Sequence, residues 1–253
     1  MPGWSEIRER IVVFEDDAVL AVDKPHGLSV MGERHDTDLT TMAAADGETL
    51  RWVHRIDKVT SGVVLLAKTK QAHAALTRQF AKRTVDKSYL AICRPGRFAE
   101  EATVELPLLT AGSGRIRVAA ERGDIRFDEA TSRWCVDDDK LLPRKSYPST
   151  TECRALWDDG DDVVVLARPV TGRRHQIRVH LAWIGHAIVG DPLFRPKGAP
   201  PAPRTHLHSL SLSLDGPDTR IELRAEPDAG FWDPVADRLD PSGLDAAALR
   251  PSG

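Results

Sequence analysis

The chain has 253 residues, of which 41% are hydrophobic and 29% charged, the balance of an ordinary globular protein. This length suits one large domain or two small subdomains. Lysine and arginine number 35 against 38 aspartates and glutamates, a formal net charge of −3, so the total charge does not indicate a strongly basic nucleic-acid binder. No run approaches the roughly 18 apolar residues that a membrane span needs.

The start of the chain and its cysteines indicate a reducing cytoplasm. Residues 1–6 have neither a basic start nor an apolar core, so we expect no secretory signal. Cys93, Cys135 and Cys153 are odd in number and have no Cys-x-x-Cys spacing. This pattern argues against a disulfide framework and against a structural zinc site.

The N-terminal part predicts two short strands and a turn that carries Lys24. Residues 11–14 and 18–22 are typical of strands joined by a turn. A second, sharper turn follows, with proline and glycine at suitable positions. Lys24 in this turn could contact phosphate, or it could be a solvated lysine. Residues 32–50 then predict a loop with a short helix at 41–45.

The most informative stretch runs from His54 to Lys68. Asp57 lies in a polar turn, and the apolar residues 63–67 that follow Gly62 are typical of a strand buried on both faces. A reactive side chain on a loop that leads into a rigid interior strand is held firmly. Asp57 could therefore be reactive, or it could merely close an Asx-type turn.

A helix and a strand are predicted next. Thr69 is a suitable N-cap, and the apolar residues after it share one helix face: Ala72, Ala75, Leu76 and Phe80. Residues 87–93 predict a strand that contains Tyr89. A tyrosine ring can stack on any nucleic-acid base, but Tyr89 could equally be an ordinary strand aromatic.

The middle of the chain is the least informative part. It predicts strands separated by loops, at residues 102–106, 115–119, 150–157 and 162–168. Residues 133–149 are polar and contain proline, so we expect a surface excursion there.

Positive charge concentrates in residues 168–178. Apolar residues recur there at i, i+4 and i+7, which predicts a helix over residues 173–184. Cations at a helix start are unfavourable unless an anion is bound, so Arg173, Arg174 and His175 indicate a phosphate partner. The alternative is that these side chains pair with nearby carboxylates.

The C-terminal part predicts a hairpin and a tail. Residues 195–204 form a loop, and the clean alternation in residues 207–214 is typical of a half-buried strand. Residues 220–225 are expected to pair with that strand. Phe231 and Trp232 are expected to close the core.

Four motifs, in this order, resemble the RluA-type pseudouridine synthases. They cover Asp23–Leu28, His54–Lys68, Lys87–Ala91 and Arg168–Asp191. The second contains His-Arg-Ile-Asp-Lys-Val-Thr-Ser-Gly, in which Ile56 replaces the usual leucine. Such departures leave the chemistry untouched, and four motifs in register are highly specific.

The resemblance implies an α+β fold, with a mixed, largely antiparallel sheet in two halves, flanking helices and a central active-site cleft. We expect residues 1–240 to form a single catalytic domain and residues 241–253 a C-terminal tail. The N-terminal S4-type domain that many family members carry would have no room.

The resemblance also implies the reaction, which is isomerisation of specific uridines in rRNA or tRNA to pseudouridine. Asp57 is the implied nucleophile, Tyr89 packs against the target base, and Arg178 pairs with the catalytic carboxylate. The residues assigned to RNA binding are Lys24, Arg55, Arg173, Arg174 and His175, with Arg173 also the second choice for the pairing. No metal or organic cofactor is required, because the rearrangement involves no redox change.

The expected partner is an rRNA or tRNA stem-loop, bound by a cytoplasmic monomer with no membrane or protein partner. Two other classes were open from the residues. A metallohydrolase is disfavoured because His175 and His180 are five apart, whereas a zinc-binding helix needs a spacing of four. A non-catalytic RNA-binding module would leave Asp57 without a role.

Overall fold

The computed structural model describes residues 3–32, 38–112, 114–216 and 220–244. These ranges form α-helices at α1 (Trp4–Ile11), α2 (Leu39–Ala45), α3 (Lys70–Lys82) and α4 (Gln176–Trp183). Short 3-10 turns occur at Arg122–Asp124, Asp138–Lys140, Ala229–Phe231 and Pro241–Gly243. No helix within these ranges is long and apolar enough to cross a membrane.

The same ranges form fifteen strands. In chain order they are β1 (Val12–Glu15), β2 (Val19–Lys24), β3 (Arg51–Trp52), β4 (Ser61–Ala67), β5 (Asp86–Arg94), β6 (Glu101–Glu105), β7 (Leu108–Thr110), β8 (Ile116–Val118), β9 (Arg126–Asp128), β10 (Arg133–Cys135), β11 (Thr150–Asp158), β12 (Val163–Pro169), β13 (Ala187–Ile188), β14 (Leu207–Asp215) and β15 (Arg220–Arg224).

The chain divides into two compact units. Of the described residues, the first unit contains those up to Tyr89 together with Leu207–Phe231, and the second contains Leu90–His206 and residues 232–244. Strand order in the first unit is β1-β2-β4-β14, and in the second β12-β11-β6-β10-β9. Most pairs are antiparallel, with β4–β14 and β6–β10 parallel. The α+β class and the largely antiparallel sheet are confirmed; the single domain over residues 1–240 stays a prediction.

The interior of the first unit is built around β4. All seven of its residues are buried, and β2 pairs with it antiparallel and β14 parallel. Val63 and Leu65 face a core that also contains Leu212, Leu214 and Leu223. The buried apolar strand predicted at residues 63–67 is confirmed.

The prediction that residues 207–214 form a half-buried strand is wrong, because every side chain from Leu207 to Leu214 is buried. The polar face of β14 is covered and its groups are satisfied by hydrogen bonds. The Ser209 hydroxyl donates to the Val63 carbonyl at 3.2 Å. The two His208 ring nitrogens lie 2.9 Å from the Ser61 hydroxyl and from the Ala225 carbonyl. An alternating pattern of apolar and polar residues shows which side chains are polar, but not which are exposed. A polar face can therefore be buried when its groups have hydrogen-bond partners.

Other local predictions met mixed outcomes. The helix capped by Thr69 is confirmed as α3, with the Thr69 hydroxyl accepting from the Ala72 amide at 3.1 Å. The sequence missed α1, which is anchored by the buried Trp4 through a 2.6 Å hydrogen bond from its indole to Glu48. It also missed strands β7, β9 and β10.

The pairing predicted for residues 220–225 and the burial predicted for Phe231 are confirmed, whereas Trp232 is only partly buried. β15 pairs antiparallel with β14, and Phe231 is fully buried. Of the predicted tail, residues 241–244 form a short turn that buries Leu244. Residues 245–253, like residues 33–37 of the predicted N-terminal loop, lie outside the described ranges.

The approach of β4 to β14 requires glycine at position 62. Gly62 has φ +106°, and a Cβ added there would overlap the backbone of Ser209. Gly185 has a similar φ of +100° with open space around it. We expect Gly185→Ala to cost about 1–2 kcal/mol from backbone strain alone, and Gly62→Ala to cost clearly more or to prevent folding. Urea unfolding measures both, and equal costs would contradict the close packing.

Candidate active site

Asp57 lies at a tight turn that leads directly into β4. The Thr60 amide donates to the Asp57 carbonyl at 3.0 Å, which closes the turn. The Asp57 side chain is half-buried, and Ser61 after the turn already belongs to the buried strand β4. The carboxylate is therefore presented from a short, hydrogen-bonded segment fixed to the interior.

The neighbours of Asp57 alternate between the interior and the solvent. His54 faces inward: its Nε2 accepts from the Leu65 amide at 2.9 Å, and its ring stacks on Phe80 at 4.6 Å. Burial lowers the pKa of His54 to about 3, so the imidazole is neutral and structural. Arg55 is exposed, which keeps its guanidinium accessible to a ligand.

Lys24 is a fully buried lysine below this turn. Its ammonium donates to the carbonyls of Pro25 at 2.8 Å, Leu28 at 2.7 Å and Lys58 at 3.4 Å. Burial lowers the pKa of Lys24 to about 7, against the raising effect of the nearby Asp57 charge. An ammonium enclosed by carbonyls cannot reach a phosphate, so this placement argues against the phosphate contact predicted for Lys24. The side chain instead joins two turns, one of which carries Asp57.

Tyr89 lies on β5 with 9% of its surface exposed. Burial raises the pKa of Tyr89 to about 12; a hydrogen bond with Ser209 opposes this shift, and the charge of Asp57 adds to it. The phenol is therefore neutral near pH 7. The electrostatic effect of Asp57 on both Lys24 and Tyr89 places the three groups together in the first unit.

In the second unit, the basic segment before α4 is organised by the buried Gln176. The Gln176 Oε1 accepts from the Thr171 hydroxyl at 2.6 Å and from the Arg173 amide at 3.0 Å. Its Nε2 donates to the Thr150 carbonyl and to the Thr151 hydroxyl, both at 2.9 Å. All four hydrogen-bonding positions of the amide are used, so this glutamine fixes the loop to β11.

His180 continues the same network. Its Nε2 lies 3.0 Å from the Leu106 carbonyl and its Nδ1 2.9 Å from the Thr151 hydroxyl. Because a carbonyl only accepts, Nε2 carries the proton and Nδ1 accepts from Thr151. Burial lowers the pKa of His180 to about 4, against the raising effect of the Leu106 hydrogen bond. His180 is a neutral structural group.

The helix predicted over residues 173–184 begins later than expected, because α4 runs from Gln176 to Trp183. His175 is its N-cap and has a left-handed backbone with φ 56°. Arg173 and Arg174 therefore precede the helix and do not form its first turn. A phosphate partner was inferred because cations were expected inside the first turn of the helix, and this reason no longer applies. Arg174 nevertheless remains exposed to a ligand.

Arg178 is the cation in the first turn of α4, and it is almost completely buried. Its Nε and Nη2 donate to the two carboxylate oxygens of Asp191 at 2.7 and 3.0 Å. Burial alone would raise the pKa of Asp191, but the hydrogen bonds and charge of Arg178, with amides of the following turn, lower it. Asp191 is a partner that the sequence did not predict, although it ends the fourth motif.

The predicted site residues thus fall into two groups. Asp57, Tyr89 and Lys24 meet in the first unit, with Arg55 on the adjoining exposed segment. Those in the second unit are Arg173, Arg174, His175 and Arg178. The sequence missed Ser209, since an alternating serine-leucine strand gives no signal for a specific tyrosine contact. The first group can present a carboxylate beside a neutral phenol, an arrangement suited to attack on, or proton removal from, a bound ring.

The sequence matches the family described as RNA pseudouridylate synthase over residues 18–183, a stretch that contains Asp57, Tyr89 and Arg178. Two similar proteins are each named dual-specificity RNA pseudouridine synthase RluA. The one from Escherichia coli is 33% identical over 212 residues, which are 82% of this chain and 87% of the relative. The one from Vibrio parahaemolyticus is 35% identical over 219 residues, 85% and 79% of the two chains.

Two solved human structures have similar folds. Human RNA pseudouridylate synthase domain containing 4 has a TM-score of 0.74 at 23% identity, with 91% of this chain and 94% of that chain covered. Human RNA pseudouridylate synthase domain containing 1 has a TM-score of 0.67 at 25% identity, with 86% and 83% covered. The similarity extends over most of each chain, so it includes both compact units.

The three carbonyls that accept hydrogen bonds from the Lys24 ammonium lead to a test of protein stability. Lys24→Met would leave three carbonyls without their shared donor, and each unsatisfied buried group costs about 1–3 kcal/mol. We expect a loss of unfolding free energy of at least about 2 kcal/mol. Lys82→Met, at an exposed position on α3, is the matched control and should change stability little. Equal stability of the two variants would contradict the role of Lys24.

The neutral His180 predicts a dependence of stability on pH. Its pKa is about 4 in the fold against about 6.5 in the unfolded chain. Because the unfolded state binds the proton more readily, this stability is fully present above pH 6.5 and is lost as the pH falls toward 4. The slope should reach about 1.4 kcal/mol per pH unit. Urea unfolding should show a shallower slope in His180→Asn than in the wild type; identical slopes would contradict the assignment.

Proposed function

The chain belongs to the RNA pseudouridylate synthase family, and from this premise we propose that it isomerises specific uridines of rRNA or tRNA to pseudouridine with Asp57 as the nucleophile. The observation that carries the proposal is the placement of Asp57. It is a half-buried carboxylate at a turn fixed to β4, beside the caged Lys24 and the neutral Tyr89.

The reaction exchanges one bond to the ribose for another. Asp57 attacks either the uracil ring or the ribose C1′, and the bond between N1 and C1′ breaks. The uracil then rotates, C5 forms the new bond to C1′, and the bond between Asp57 and the nucleotide breaks, which returns the free carboxylate. C5 loses a proton while N1 gains one, so atoms and electrons balance without a metal or a redox cofactor.

The proton at C5 needs an acceptor, for which Asp57 and Tyr89 are the candidates. With the pKa of Tyr89 raised to about 12, only about one phenol in a hundred thousand is ionised at pH 7. We therefore assign the proton transfer to the Asp57 carboxylate. Tyr89 contributes its ring face to the target base, an interaction worth about 1–3 kcal/mol.

The basic residues hold the RNA backbone in this proposal. Arg55 and Arg174 are exposed, and Arg173 and His175 flank Arg174 in the loop before α4. Lys24 is not among these residues, because its ammonium is enclosed by carbonyls. Arg178 keeps the implied role of pairing with the catalytic carboxylate. Its fork on Asp191 would hold the guanidinium in a fixed orientation.

We assign the substrate to rRNA or tRNA stem-loops, since the similar bacterial proteins are named dual-specificity RNA enzymes. A nucleotide in a loop costs less to turn out of its stack than one inside a duplex. The protein would act in the cytoplasm as a monomer without a protein partner.

The proposal is tested by mapping pseudouridine in total RNA from a strain that lacks the gene. We expect a defined site to disappear and to return with the wild type but not with Asp57→Asn. The matched control is Asp17→Asn, the same chemical change at an exposed aspartate, which should restore the site. Restoration by Asp57→Asn would remove Asp57 from the chemistry. Persistence of every site in the deletion strain would contradict the activity.

A further inference from the structure

Tyr147 presents an exposed aromatic ring from a rigid backbone. Its side chain is 40% exposed. The backbone is held to β7 by two hydrogen bonds, from the Leu108 amide to the Tyr147 carbonyl at 3.0 Å and back at 2.8 Å. The fold therefore fixes where the ring stands without covering it.

Two cations lie over this ring. The Lys145 ammonium is 5.5 Å and the Arg173 guanidinium carbon 5.0 Å from the ring centre. Within the described ranges, neither side chain has a carboxylate in ion-pair distance or donates a hydrogen bond. The buried Nε of Arg173 has no acceptor there either.

Two other guanidiniums that lie over rings in this protein pair with carboxylates. Arg238 over Trp157 also pairs with Asp162. Arg178 over Phe194 pairs with Asp191. Those guanidiniums are paired with carboxylates, whereas Lys145 and Arg173 keep positive charge beside an exposed ring. That combination suits an anionic ligand with a planar ring.

We propose that Lys145, Tyr147 and Arg173 form an accessory RNA platform, which takes an unpaired nucleotide other than the one that is modified. The base stacks on the Tyr147 ring, and the flanking phosphates contact the two cations. A single-stranded segment fits better than a duplex, because bases inside a duplex do not offer a free face. This inference rests on the proposed function only in taking RNA as the substrate.

Stacking of this kind is sequence-tolerant, and charge contacts with phosphate weaken as salt rises. Loss of the ring should weaken binding of single-stranded RNA by roughly 5- to 100-fold. Loss of the Lys145 cation should weaken binding and also lower the slope of log affinity against log salt. In turnover, KM should rise while kcat at saturating RNA stays close to the wild-type value.

The test measures binding of fluorescein-labelled oligouridylate to the full chain by fluorescence anisotropy. The variants are Tyr147→Ala, Tyr147→Phe and Lys145→Ala. The matched controls are Phe14→Ala, at another exposed ring, and Lys140→Ala, at another exposed lysine. We expect Tyr147→Ala to weaken binding, Tyr147→Phe to retain it, and Lys145→Ala to reduce the salt slope.

The proposal is overturned if Tyr147→Ala and Lys145→Ala bind oligouridylate as the wild type does, or if the wild type does not bind it. An equal loss of binding to polyglutamate would instead indicate a surface for acidic protein segments, and would also overturn it. Should Tyr147→Ala fail to fold, the affinity and the salt slope of Lys145→Ala still decide. Pseudouridine mapping with the same variants separates the two proposals. If only the platform proposal is wrong, the RNA is still modified as in the wild type.

Discussion

The buried ammonium of Lys24 is the contact on which the candidate site depends. Its three carbonyl partners come from two turns that are far apart in sequence, and the second turn carries Asp57. A neutral amine could supply only two of the three donors, so the cage favours the charged form while burial opposes it. The result is a turn whose position is fixed by the Lys24 ammonium, and this turn carries Asp57. Tyr89 then bounds the same space with a phenol that remains protonated.

In the second unit, a buried hydrogen-bond network and an ion pair fix the segment that carries the basic residues. Gln176 satisfies all four of its hydrogen-bonding positions inside the protein, and Arg178 is locked on Asp191. Both side chains are thus fixed by partners inside the protein, and Gln176 holds the loop that displays Arg173 and Arg174. Buried polar networks of this kind specify one arrangement only when every member is satisfied.

Much of the fold was predictable where periodicity and burial agree. The apolar run of β4 and the capped α3 gave clear signals, and both formed as expected. The half-buried assignment of β14 failed because hydrogen bonds allow serine and histidine to lie in the interior. At the site, Asp57 was found through its motif. The inward orientation of Lys24 was not found, because a lysine in a polar turn has the same local pattern whether it is solvated or caged. Long-range partners such as Ser209 and Asp191 depend on register, which local sequence does not encode.

The central claim, that Asp57 attacks the nucleotide, is tested most directly by mass spectrometry of the denatured protein after incubation with a hairpin RNA in which 5-fluorouridine replaces uridine. In the normal reaction C5 loses a proton, and fluorine at C5 cannot leave in this way. The reaction should therefore stop with the nucleotide attached to the protein or rearranged. We expect an RNA adduct whose mass maps to the peptide containing Asp57. An adduct mapped to any other residue would contradict the assignment of the nucleophile.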